Sequence, residues 1–149
     1  MDWKEFRIQL SEEEKRIARI ASEELPTYMG VKGVSLFKRN FLTQSFFGEK
    51  WKEVKRRTHP GKSAKAQRNA MRQILVGRTG NLRSSIRYKV GDGYVDFYSD
   101  AEYGAVHNQG LPSGRGGGFT MPKRQFIGHH KEVDKVIRKA IEQFLKRRK

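Results

Sequence analysis

The chain contains no cysteine, which removes disulfides, thiolate zinc sites and cysteine nucleophiles from consideration and makes a reducing compartment the expected setting. No run approaches the ~20 consecutive apolar residues of a membrane span. The N-terminal stretch carries charges throughout and lacks the apolar stretch of a signal peptide. The expected location is therefore the cytoplasm of the cell that makes it, with no membrane partner. Acidic residues are scarce as well: 16 against 32 lysines and arginines, a net charge of +16 over 149 residues. A charge of that sign and size implies attraction to something anionic and says nothing about the fold.

The excess is uneven. Residues 1–25 are net −2, residues 38–88 net +12, residues 89–130 balanced and residues 131–149 net +5. The middle of the chain is thus the electrostatic footprint. A length of 149 residues fits one domain spanning residues 1–149.

Local pattern points to α+β. Phe6, Ile8 and Leu10 alternate with polar residues as in a strand. Ser11 and Glu14 form a capping-box pattern that opens a helix over 12–25, closed by Pro26. The turn-prone PTYMGVKG follows, then a second helix over 34–47 with Phe37, Phe41 and Leu42 at helical offsets. Residues 50–61 read as irregular, anchored by Trp51 and Val54, with Lys52, Lys55, Arg56 and Arg57 in solvent as contacts for an anionic partner. Residues 63–75 predict a helix with a thin apolar face.

The alternation of Ile86, Tyr88 and Val90, then Val95 and Phe97, around Gly91-Asp92-Gly93 predicts a β-hairpin over about 86–98. A short helix over 102–108 closed by Gly110, flexible loops at about 48–62 and 110–119, and an edge strand at 119–121 complete the middle. The spacing of Val133, Val136, Ile137, Ile141, Phe144 and Leu145 predicts an amphipathic helix over 131–147. The expected architecture is a small antiparallel sheet packed against several helices.

Motifs for chemistry are not found. His59, His107, His129 and His130 form no HExxH pair, so neither a metal nor a cofactor is expected. Ser84 and Ser85 lie in no GxSxG elbow, and GRGGG lacks the lysine of a phosphate-binding loop. No enzymatic activity is expected; a hydrolase built on His107 is the weakest alternative. The basic segment 38–88, with Trp51 available for stacking, keeps a nucleic-acid-binding module as the rival reading.

Three strings occur in order: ILVGRTGNLRSSI at 74–86, YGAVHNQG at 103–110 and MPKRQFIG at 121–128. Together with the closing amphipathic helix they resemble the phage virion morphogenesis family, the Mu-type G tail-completion proteins. Gln125 stands where that family usually has proline, and Gly104 and Ala105 shift the small residues after Tyr103. The resemblance implies a structural phage or prophage protein for tail completion and head-tail joining. It would act as a homo-oligomeric ring at the head-proximal end of the tail, with a free monomer the alternative state in solution.

Tail-tube and neck or connector proteins would be its partners, with nucleic acid the rival. Its location would be the host cytoplasm during assembly and then the virion tail and neck. The positions that carry the resemblance are Trp51, Thr79, Gly80, Leu82, Ser85, Ile86, Tyr103, His107, Gly110, Pro122, Arg124, Phe126 and Gly128. By this reading Thr79, Gly80 and Gly110 serve turns and caps, Tyr103 and His107 brace the hairpin, and Phe126 seats the last helix.

Overall fold

A computed structural model describes residues 16–147 apart from 18, 77–78 and 92–93. The expected strand at 6–10 and the Ser11–Glu14 cap lie outside the described residues. The fold is α+β: six α-helices and three two-stranded antiparallel ladders among the described residues.

The chain enters through a π-helical turn, Ile20–Glu24, that runs directly into α1, Leu25–Thr43. Pro26 was expected to end a helix and instead sits in the first turn of the next. There its missing N–H and fixed φ are tolerated. The turn-prone segment after it is helical for a packing reason. A Cβ on Gly30 would stand 2.3 Å from the Tyr88 ring, and one on Gly33 would stand 2.2 Å from the Phe97 ring. These two glycines let the hairpin's aromatic rings come up against the helix backbone, and that contact offsets the helix-breaking tendency of glycine.

The expectation follows that Gly33→Ala destabilises the protein by about 1–3 kcal/mol through overpacking against Phe97, despite alanine's better helix propensity. Chemical denaturation checks it, and the double variant Gly33→Ala with Phe97→Leu should recover part of the loss.

α1 ends earlier than expected, at Gln44 in the left-handed region (φ 56°). The Gln44 side-chain amide donates to the Phe41 and Ile74 carbonyls, and its oxygen accepts from the Ile74 N–H. Leu42 shared the expected helical face yet is exposed, while Phe37 and Phe41 are buried. Beyond α1 the chain makes the ladder β1 (Ser45–Phe46) with β2 (Glu49–Lys50), and then the short helices α2 (Lys55–Thr58) and α3 (Ala64–Ala70). Ser63 caps α3 by accepting from the Ala66 N–H. Helix α4 is Asn81–Ser84, entered through Gly80 at φ 65°.

The hairpin pairs β3 (Ile86–Gly91) with β4 (Tyr94–Ser99), in the register Ile86↔Ser99 to Gly91↔Tyr94. Ile86, Tyr88, Val95 and Phe97 turn inward, whereas Tyr94 and Tyr98 are exposed. Helix α5 is Gly104–Gln109, closed by Gly110 at φ 71° with its N–H on the Val106 carbonyl.

The glycine loop does not lend a strand to the hairpin. It folds on itself, β5 (Pro112–Ser113) pairing with β6 (Phe119–Thr120), with Gly114, Gly116 and Gly117 at positive φ between them. Helix α6, Lys131–Arg147, packs on α1 and brings Phe144 to Tyr28, ring centroids 5.1 Å apart. The core gathers Phe37, Phe41, Trp51, Ile74, Leu82, Ile86 and Phe126.

Candidate functional site: an arginine-lined cleft where the three strings meet

The segment 123–128 belongs to no helix or ladder among the described residues, so its backbone groups need side-chain partners. The Asn108 side-chain oxygen accepts from both the Phe126 N–H (2.8 Å) and the Ile127 N–H (2.9 Å), and its amide donates to the Ile127 carbonyl (3.1 Å). Asn40 donates to the Phe126 carbonyl (3.2 Å). The Trp51 indole N–H donates to the Gln125 carbonyl (2.8 Å). The Arg124 N–H reaches the His107 carbonyl (2.8 Å). Phe126, fully buried, lies against Phe41, ring centroids 5.2 Å apart, and Trp51 meets Phe41 edge-on at 5.4 Å.

Arg124 is itself buried, and its guanidinium is spent inside the protein. Nε donates to the Lys52 carbonyl (2.9 Å) and Nη2 to the Glu53 carbonyl (3.3 Å). Arg56 and Arg57, expected in solvent, are half-buried and serve a similar purpose. Arg56 donates to the carbonyls of Asn69, Arg72 and Gln73, and Arg57 to those of Ala70 and Arg72. These carbonyls lie at and just beyond the C-terminal end of α3, and those of Ala70 and Arg72 accept no backbone N–H among the described residues. Lys52 and Lys55 are exposed, as expected.

The other motif positions divide between support and surface. Ser85 is buried; its hydroxyl donates to the Leu82 carbonyl and lies 2.6 Å from the Ser99 hydroxyl, tying α4 to β4. Gly104 seats α5 on the hairpin, since a Cβ there would stand 2.5 Å from the Ser99 hydroxyl oxygen. Tyr103 and His107 meet each other edge-on at 6.0 Å, with Tyr103 exposed. A Cβ on Gly110 would stand 2.9 Å from the Lys123 side chain, so the YGAVHNQG and MPKRQFIG strings touch directly. Pro122, just before the segment 123–128, and Gly128, at its end, are half-buried.

Above this support lies a cleft of about 460 Å³ that brings together residues from all three strings: Thr79 and Leu82, Tyr103 and His107, and Arg124. Arg56 and Arg72 line it too, and among the described residues no acidic side chain does. A larger groove of about 740 Å³ along α1 holds none of the motif positions named above. Burial, and after it the mutual repulsion of neighbouring guanidinium groups, pushes the pKa values of Arg56 and Arg124 down, while Glu53 pulls the other way. Both stay cationic at neutral pH, because arginine is effectively always protonated in proteins.

The His107 imidazole is pushed below its ordinary value, by burial first and by Arg124 second. Its Nδ1 is buried with no hydrogen-bond partner among the described residues. Depressed in the fold, His107 binds a proton more readily in the unfolded chain, so stability is full above about pH 6.5 and falls as the pH drops through that value. Thermal melts between pH 7.5 and 5 should show this loss, and His107→Gln should make that part of the profile flatter.

The family model of the phage virion morphogenesis family matches residues 11–146. The chain belongs to that family. It follows that the protein has a structural role in phage assembly and is associated with the virion. Searches of curated proteins and of solved structures find no match to the chain. Within this member of the virion morphogenesis family, the three strings converge on one cleft and its supporting clamp. Sequence reasoning missed Asn40, Gln44, Asn108 and Arg72. Only Asn108 left a trace, through its place inside YGAVHNQG. No helix of the described residues is long and apolar enough to cross a membrane.

Proposed function

We propose that this virion morphogenesis protein is a tail-completion subunit. It assembles with copies of itself into a ring at the head-proximal end of the tail, where tail-tube and neck proteins dock. It works by binding and ordering other chains and carries out no reaction. The observation that supports this best is the division of labour around the cleft. Arg124, Asn108, Trp51 and Phe126 are consumed in holding the backbone together, while Arg72 and Tyr103 remain at the rim for contact. Large apolar side chains on the surface, Tyr94 and Tyr98 on the hairpin and Phe119 on the glycine loop, suit a chain that is covered on assembly. The local order already present in the loop, with β5 paired to β6, lowers the entropy lost on docking.

The test is native mass spectrometry and electron microscopy of the purified protein, at high concentration alone and with tail-tube protein. Rings are expected in at least one condition; monomers under both would remove the proposal. The nucleic-acid reading keeps a specific support in the +12 charge of residues 38–88. It predicts DNA or RNA binding that falls steeply with salt.

A further inference from the structure

The cleft concentrates positive charge with no carboxylate among the described residues that line it. Arg56, Arg72 and Arg124 line it together with His107, Thr79 and Asn81. Glu53, the carboxylate that acts on Arg56 and Arg124, is already engaged: it pairs with Arg57 at 3.4 Å and accepts from the Val54 N–H at 2.9 Å. The Arg72 side chain has no acceptor among the described residues; only its backbone groups are bonded. His107 adds a buried ring nitrogen with no partner. Such a cleft, polar at its rim and backed by Ile74, Leu75 and Leu82, is built for a carboxylate-bearing chain.

The sequence holds one run of three consecutive acids, Glu12-Glu13-Glu14, in its only net-negative segment, residues 1–25. Subunits of net charge +16 repel one another unless an acidic patch of one meets a basic patch of the next. The acidic run and the arginine cleft are complementary in charge. We infer that the cleft receives the Glu12–Glu14 segment of a second copy of this chain, a head-to-tail contact that repeats around a ring. A heterologous contact of this kind generates a closed ring when its rotation closes. The inference rests on the ring reading above, but it can fail separately from it.

Two variants test it. Glu12→Lys, Glu13→Lys and Glu14→Lys together remove the acidic run, and Arg72→Glu removes the guanidinium that would receive it while keeping the Arg72 backbone carbonyl to which Arg56 and Arg57 donate. Each variant alone should stay monomeric where the wild type assembles. Their equimolar mixture should form dimers that grow no further, because one intact acidic run meets one intact cleft. A mixture that stays monomeric, or single variants that assemble like the wild type, overturns the inference while leaving the ring itself standing.

A second arm does not depend on assembly. A synthetic peptide spanning residues 9–17 should bind the full-length protein by calorimetry. Binding should weaken at least tenfold when its three glutamates become glutamine, and likewise when the protein carries Arg72→Glu. Equal binding by the two peptides overturns the inference. So does a DNA oligonucleotide that binds more tightly than the peptide and loses its affinity with Arg72→Glu, which assigns the cleft to nucleic acid.

Discussion

Replacing Phe126 by alanine should destabilise the protein by about 3–5 kcal/mol, the loss expected when a fully buried phenylalanine leaves a cavity. The ring is wholly inaccessible and packs on Phe41, which in turn meets Trp51. Removal therefore strips Phe41 of a ring neighbour at the centre of the core. Against the 5–15 kcal/mol typical of a native protein, the variant would sit close to its unfolding threshold. Denaturant titration should show a large fall in midpoint with little change in slope. Phe126→Leu retains most of the volume and should lose much less.

A comparable loss is expected from a residue with almost no apolar surface. Asn108→Ala leaves the Phe126 and Ile127 N–H groups without their acceptor. Each buried donor left open costs about 1–3 kcal/mol, so the pair amounts to about 2–6 kcal/mol. The Ile127 carbonyl is less affected, because Gln125 also donates to it at 3.2 Å. Asn108→Asp keeps an oxygen acceptor in place and should recover most of the stability. Amide hydrogen exchange at Phe126 and Ile127 provides the local check: rapid in the alanine variant, protected in the aspartate variant.

Period and turn chemistry made the hairpin and the last helix legible in the sequence. Their alternating and 3.6-residue patterns are local, and the observed ladder from Ile86↔Ser99 to Gly91↔Tyr94 and the helix Lys131–Arg147 follow them. Pro26 misled because local rules treat proline as a stop, whereas the contact that keeps α1 helical comes from Tyr88 and Phe97, more than fifty residues further on. Arg56 and Arg57 misled for the opposite reason. Their charge suggested solvent, but carbonyls at and beyond the end of α3 lay within reach. The family strings meet at one cleft without revealing what each member does. Asn108 acts through hydrogen bonds to a segment 18 and 19 residues away, and hydrogen bonds of that span leave no periodicity to read.

The clamp around residues 123–128 also bears on the order of folding. Its bonds join parts of the chain far apart in sequence, Asn40 to Phe126 across 86 residues and Trp51 to Gln125 across 74. Contacts of such separation carry the greatest loop-closure entropy and are favoured to form after local helices and the hairpin. Substitutions in the clamp should therefore speed unfolding far more than they slow folding. The segment that binds the three strings together would act as a kinetic latch, setting how long a folded subunit lasts.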